Sequence, residues 1–339
     1  MKKKIAVVGA GIIGITNAVR LLQEGFSVTV FTKDNPLETN SDAAVATWYT
    51  PDDSKPKLQK YCLDSLTKFY ELIEFEPSGG VKKIPVILYF KREEDFTNSV
   101  WATEPLKTLV NLSDPPANQS KIPGFPFSVL VHNPLIDPTI YRPYMLKKFK
   151  ALGGELKIEK IDSLAELTDS YDMVVNSAGW EAKYLTHDPL IYPARGQTET
   201  MKVPQDLGNG YSLNVEAMDA YVVFRPLSED CVIGTTYQVG DCDRATRESD
   251  KKAIFQKVST FFPYVKDKSI ETTSKTGIRC GRPEVRIEGE EVNNTHGKRS
   301  LIVHCYGHGG TGYSASWGSA DEVLKHCTSF TPSMKPTFR

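Results

Sequence analysis

"KIAVVGAGIIGITNAVRLLQEGFSVTVF", residues 4–31, decides the fold. After Lys4 the run to Val8 is apolar without alternation, which reads as a strand buried on both faces of a parallel sheet. From Ile12 to Glu24 apolar residues recur at helical spacing (Ile12, Ile15, Val19, Leu22), and Gly25 stands where a C-cap belongs. "FSVTVF", 26–31, is a second strand. The three pieces make a βαβ unit with a right-handed crossover, and hence an α/β chain.

Gly9, Gly11 and Gly14 join the first strand to the helix in a G-x-G-x-x-G pattern. The first glycine permits the tight turn, the second lets a pyrophosphate approach the backbone, and the third brings helix and strand together. Free N–H groups and the helix dipole then hold the anion. This predicts dinucleotide binding without choosing between FAD and NAD. An acid for the ribose hydroxyls is expected at the end of the second strand. In "VTVFTKDNP" (28–36) Lys33 falls there and Asp34 comes one place later, so the register is shifted or a backbone group takes that role.

The wider composition excludes several classes. Of 339 residues 41 are basic and 42 acidic, a net charge of -1, which gives no general attraction to nucleic acid or to an anionic membrane. The lysine-rich start imitates a signal peptide, but its glycines, the lack of a cleavage site and the helical pattern through Asn17, Arg20 and Glu24 favour a strand. No other stretch approaches the roughly 20 apolar residues of a membrane span, and Thr337-Phe338-Arg339 is not a peroxisomal S-K-L address. Cysteines 62, 231, 242, 280, 305 and 327 lie far apart with no C-x-x-C pair, which fits reduced thiols in a cytoplasmic protein.

Further along, extended runs broken by prolines ("IPVILYF", 84–90; "FSVLVH", 127–132; "QTETMKV", 197–203; "AYVVFRP", 220–226; "CVIGTTY", 231–237) predict an antiparallel sheet. Between them "DPTIYRPYMLKKFKALGG" (137–154) reads as a helix, with "ELKIEKI" and "DMVVNSAG" as strands returning to the first sheet. "RSLIVHCYGHGG" reads as a buried strand entering a loop, with a helix from Tyr313, and "EGEEVNNTHGK" (288–298) as a solvated loop. The fifteen residues "HCYGHGGTGYSASWG", 304–318, admit a metal site, a phosphate loop or a backbone kept bare for a flat ligand. A metal would need His304, Cys305 and His308 to converge, yet neighbours on a strand face opposite ways, so no metal is expected.

Four stretches together resemble one family, the FAD-dependent D-amino-acid oxidases and their D-aspartate oxidase relatives. They are "VVGAGIIG"; "SDAAVATW" (41–48); "VVNSAGWEAKYLTHDPLIYPARGQ" (174–197); and "GIRCGRPEVRIE" (277–288) with "HCYGHGGTGYSASWG". The likeness runs in order from near residue 4 to near residue 325. It implies a Rossmann-like FAD-binding domain built from discontinuous segments (1–80, 133–192, 277–339). Interleaved with it is a substrate domain (81–132, 193–276) on a mixed, largely antiparallel sheet.

It further implies that FAD is held by Gly9, Ala10, Gly11, Ile12, Ile13 and Gly14; by Lys33 and Asp34; by Ser41, Asp42, Ala46, Thr47 and Trp48; and by Ile161, Ala178 and Gly179. The ring is implied to lie against His308, Gly309, Gly310, Thr311, Gly312, Tyr313 and Ser314, with Ser314 in the first turn of a helix aimed at its pyrimidine edge, and Gly307 and Arg279 are counted among the FAD contacts. By the same resemblance Arg279 binds the substrate carboxylate, Tyr221 shares it, and the Gly310 carbonyl accepts from the amine. Taken alone, Tyr221 reads as a core aromatic, whereas the planar fork of Arg279 suits a carboxylate, with a structural ion pair as the alternative; Arg282 and Arg286 read as structural, and His304 as a packed strand residue.

The implied reaction is oxidative deamination of a neutral D-amino acid by hydride transfer to flavin N5, giving a 2-oxo acid, ammonia and hydrogen peroxide, with oxygen as co-substrate. Alternatives are a D-aspartate oxidase, a glycine- or amine-oxidizing flavin dehydrogenase, and a flavoprotein that binds amino acids without turnover. A homodimer is left open. The chain departs from the family pattern at several places. Ala217 replaces a lid tyrosine, and Val45, Ala46 and Thr47 replace an Ala-Gly-Leu flavin contact. Tyr237 stands where D-aspartate oxidases carry a side-chain-binding arginine, and Arg225 keeps an acidic substrate open.

Overall fold

The computed structural model describes residues 2–51, 54–203, 210–267 and 270–331; the terminal Thr337-Phe338-Arg339 lies outside them. Two sheets carry the chain. The first contains β1 (Lys4–Val8), β2 (Ser27–Thr32), β5 (Glu155–Ile158), β6 (Met173–Asn176), β13 (Arg286–Asn293) and β14 (Arg299–Tyr306), in the order β13-β14-β6-β1-β2-β5. All neighbours in it are parallel except β13 and β14. The second is mixed: β3 (Val81–Phe90), β4 (Phe127–Ile136), β7 (Tyr192–Lys202), β8 (Ser212–Val215), β9 (Ala220–Arg225), β10 (Asp230–Gly234) and β11 (Gln238–Val239) run in the order β11-β7-β10-β9-β8-β3-β4, and β12 (Thr273–Gly281) pairs with β7. Among the described residues its one parallel pairing is β3 with β8.

Central strands of the first sheet are buried on both faces, Ile5, Ala6 and Val7 being fully covered. One covering layer contains the helix Ile12–Gln23, packed on the helices Pro138–Ala151 and Ser316–Ser329. The first helix ends as its sequence predicts: Gly25 takes φ +93°, a left-handed conformation that glycine adopts without penalty. The helix Pro138–Ala151 begins at Asp137, whose carboxylate accepts from Thr139 N–H.

Three sequence expectations are corrected. Residues 288–298 are not a solvated loop: Glu288 to Asn293 belong to β13, an edge strand antiparallel to β14. Its charges are compatible with a strand because an edge keeps them in water or in pairs, as with Glu291 and Arg299. The last helix starts at Ser316 rather than Tyr313; Ala315 N–H bonds Thr311 O and Ser316 N–H bonds Tyr313 O, so the chain makes a turn first. Ser314 is therefore not in the helix. Arg225 is not free for a substrate carboxylate, because it is buried against Asp230 at 2.5 Å and Asp137 at 3.9 Å. A long helix, Pro56–Phe75, has no counterpart in the sequence reading, although its buried Leu58, Cys62, Ser65, Phe69 and Leu72 recur at helical spacing. No helix of the described residues is long and apolar enough to cross a membrane.

Candidate active site

A cavity of about 1110 Å³ runs from the first glycine turn to the strands of the second sheet. Its first part is made of backbone. Gly9 takes φ +105°, and a Cβ there would lie 2.4 Å from Ser177 O; a Cβ on Gly14 would lie 1.9 Å from Gly9 O. Gly14 therefore serves helix-strand contact and does not itself line the cavity, whereas Gly9, Ala10, Gly11, Ile12 and Ile13 do. Ser41 closes the turn: its hydroxyl accepts from Ile12 N–H at 3.0 Å, and its carbonyl accepts from the Tyr313 hydroxyl at 2.9 Å. Ser314 Oγ accepts from Tyr49 N–H at 2.9 Å, tying residues 45–49 to the glycine-rich loop.

That loop follows β14. Gly309 N–H bonds Cys280 O at 2.8 Å, fastening it to β12 beside Arg279. The whole stretch from Gly307 to Ser314 lines the cavity, as do Lys33, Asp34, Ser41, Ala46, Thr47, Trp48, Ile161, Ala178 and Gly179. Asp42 does not line it; its carboxylate is held by Arg142 at 3.1 Å and Lys275 at 3.0 Å. His304 is also off the cavity, buried between Glu290 and Asn176. Burial pushes His308 down to about 4, which leaves its imidazole neutral, with Nε2 3.0 Å from Ser319 Oγ. The Cys280 and Cys305 thiols in the wall are each pushed up to about 12 by burial, so neither is a thiolate nucleophile near neutral pH.

The second part is made of side chains laid across glycines. Tyr221 on β9 faces Gly234 on β10, where a Cβ would lie 2.4 Å from the Tyr221 hydroxyl. Arg279 on β12 lies over Gly196 on β7, where a Cβ would lie 2.1 Å from Nη1. The guanidinium donates to Thr236 O and to Thr235 Oγ1, both at 3.2 Å, and the Tyr237 ring stacks on it at 5.2 Å. Among the described residues no carboxylate pairs with Arg279, in contrast to Arg282 (Asp188, 3.0 Å) and Arg286 (Glu288, 2.6 Å). A Cβ on Gly310 would come within 3.7 Å of Arg279 Nε, so the glycine loop and the arginine are neighbours. Burial raises the Tyr221 phenol, with the Arg279 charge and Thr235 opposing, and it stays protonated as a donor. The structure thus brings Arg279, Tyr221 and Gly310 into one cavity.

The family model described as FAD dependent oxidoreductase matches residues 4–325. Over 331 residues the chain is 30% identical to a D-amino-acid oxidase of Dictyostelium discoideum, covering 96% of this chain and 91% of that one. It is 28% identical over 321 residues to a D-amino-acid oxidase of Rubrobacter xylanophilus, covering 94% of each. The chain belongs to the D-amino-acid oxidase family of FAD-dependent oxidoreductases. It is an FAD enzyme. In fold it is similar to the glycine oxidase of Bacillus cereus, with a TM-score of 0.77 at 17% identity over 96% of each chain.

The walls fit this cofactor. The volume lies above the roughly 300–1,000 Å³ of ordinary ligand pockets, as a dinucleotide beside a small substrate requires. A Cβ at Gly309 would meet nothing within 4 Å, and the buried Thr47 hydroxyl in the wall has no hydrogen-bond partner among the described residues. Sequence reasoning placed Tyr237 at the site but missed that its ring stacks on the arginine, and it missed Glu181, which pairs with Lys33 at 2.5 Å. No local pattern marks either residue; both act through partners far along the chain.

Proposed function

We propose that the protein oxidises neutral D-amino acids to 2-oxo acids, ammonia and hydrogen peroxide, with oxygen as electron acceptor. One observation carries the reading: a guanidinium without a carboxylate partner among the described residues, beside a bare glycine loop and a protonated tyrosine. Arginine's planar fork suits a carboxylate, and Arg279 is held in place by donation to Thr235 and Thr236. Tyr221 donates a further hydrogen bond to that carboxylate. The Gly310 carbonyl accepts no hydrogen bond from the described residues and is available to the substrate amine. Held at both ends, the substrate keeps its α-carbon in one orientation, and neutral His308 adds no competing charge to the wall. FAD, held by the glycine turn and the loop from Gly307 to Ser314, would supply the hydride acceptor and the two-electron link to oxygen. With the amine bound as its free base, having left its proton in solvent, the nitrogen lone pair assists departure of the hydride, so no protein base takes the α-hydrogen, and the imino acid released is hydrolysed by water. Tyr237, at the position of the D-aspartate oxidase arginine, and the paired Arg225 both favour a neutral side chain.

The division into a cofactor domain and a substrate domain belongs to this reading; the two sheets support it, with β4 and β12 lying across the expected boundaries at 132/133 and 276/277. The test is Arg279→Ala with D-alanine. KM should rise roughly a hundredfold, with flavin content near that of the wild type, because one side of a charged pair is lost. Unchanged kinetics would remove the carboxylate role.

A further inference from the structure

At the end of the cavity away from Arg279, the residue that follows β2 is Lys33, in the place where a dinucleotide fold expects an acid. Vicinal ribose hydroxyls need an acceptor, and an ammonium has none to offer. The structure supplies a carboxylate there from a distant part of the chain. Glu181 ends the short helical turn Gly179–Glu181, which leaves the end of β6. In the sheet order β6-β1-β2 the two residues stand on either side of β1, whose end carries the Gly9–Gly11 turn, and their side chains meet, Glu181 Oε1 lying 2.5 Å from Lys33 Nζ. Lys33 and Glu181 both line the cavity. Asp34, the sequential neighbour that also lines it, stands further from the ammonium, at 3.8 Å.

We infer that Glu181 is the displaced acid of the dinucleotide site: it accepts hydrogen bonds from the adenosine ribose of FAD, and Lys33 is the positioning residue that holds its carboxylate at the end of β2. The inference rests on the cavity being the flavin site of the proposed function. A purely structural role is the competing account. Lys33 is 43% and Glu181 32% exposed in the side chain, and an ion pair so open to water contributes little to folding. Its removal should therefore leave the fold intact and report on ligand binding alone.

The experiment titrates deflavinated full-length protein with FAD and, separately, with FMN, which has the flavin but no adenosine half, and reads both dissociation constants from flavin fluorescence. Glu181→Ala should raise the FAD constant by about tenfold or more, as for a lost hydrogen bond to a charged group, and leave the FMN constant unchanged. Glu181→Gln, which keeps one acceptor oxygen, should recover part of the loss, and Lys33→Met should weaken FAD binding less than Glu181→Ala. An unchanged FAD constant in Glu181→Ala, an equal weakening of both flavins, or a larger loss in Asp34→Ala each overturns the assignment while leaving the proposed function standing. Wild-type protein that binds neither flavin overturns both.

Discussion

The two ends of the cavity use glycine for opposite purposes. At the dinucleotide end glycines bring backbone against backbone: Gly9 sits on Ser177 and Gly14 on Gly9, with no side chain between. At the substrate end glycines make room for side chains, Gly234 under the Tyr221 ring and Gly196 under the Arg279 guanidinium. In the first case the glycine maintains the fold, because peptide atoms in a strand-turn-helix junction have nowhere to go. In the second it maintains a rotamer on a strand that would form regardless. The same substitution should therefore fail in different ways at the two ends.

Gly14→Ala tests the first end and should have the largest effect. Its Cβ would stand 1.9 Å from Gly9 O, so the helix must move off the strand, at a loss of about 3 kcal/mol of stability, the upper part of the usual overpacking range. Protein purified without flavin and with a lowered denaturant midpoint is the expected result. Gly196→Ala tests the other end. There the Cβ meets the tip of a flexible side chain, Arg279 Nη1 at 2.1 Å, and the guanidinium must swing aside. Flavin content and thermal midpoint should stay near wild type while kcat/KM falls up to about a hundredfold, the effect of misplacing one binding group by about an ångström. If Gly196→Ala unfolds the protein, or Gly14→Ala keeps its flavin, the contrast between the ends is wrong.

This division also explains what could be read without coordinates. Backbone-on-backbone contact leaves a mark at fixed spacing, so Gly9, Gly11 and Gly14 announce a strand, a turn and a helix within a few residues, and the observed β1, first helix and β2 follow. At the substrate end the partners are cross-strand: Gly196 and Arg279 are 83 residues apart and meet because β7 pairs with β12. Only the resemblance to a family directed attention to Arg279, Tyr221 and the position of Tyr237, and it carried no warning that the Tyr237 ring stacks on the arginine. Glu181 was hidden for the same reason, since nothing near residue 33 refers to residue 181. The edge strand Arg286–Asn293 was missed because its acidic residues read as solvated, which is also true of an edge.

The bare-backbone wall has a lability of its own in acid. His308 is buried there and holds its imidazole neutral down to about 4, against an ordinary value near 6.5. Below about 6.5 the unfolded chain takes up a proton that the folded chain refuses, so stability is lost as pH falls, and the loss is complete only below the folded value. Between pH 7 and pH 5 the shift amounts to roughly 2 kcal/mol. Burial lowers His304 as well, with Glu290 opposing, and adds to the same trend. Denaturant unfolding at the two pH values should show the drop, and His308→Gln should remove most of it. A slope unchanged by His308→Gln would assign the acid sensitivity to other groups, and the wall would no longer be the weak side.

Between the two ends lies Ala46, at a φ of +59° on the cavity wall, where the family pattern has glycine. The chain holds a left-handed backbone there with a Cβ on it. The Ala46 carbonyl accepts from Ile136 N–H at 2.9 Å, and the next residue, Thr47, bridges Leu135, so β4 holds the turn in the left-handed region. A non-glycine residue there is disfavoured by about 1–2 kcal/mol, while glycine gives back about 0.5–1 kcal/mol through the freedom of the unfolded chain. Ala46→Gly should thus stabilise by up to about 1 kcal/mol, read as a higher denaturant midpoint with unchanged m-value. Because it removes an atom from the wall without touching Arg279, flavin binding should hold or tighten and KM for D-alanine should stay as it is. A destabilised Ala46→Gly would mean that the Ala46 methyl packs usefully in the wall and that the strain is offset locally. This region would then belong with the side-chain end of the cavity rather than the backbone end.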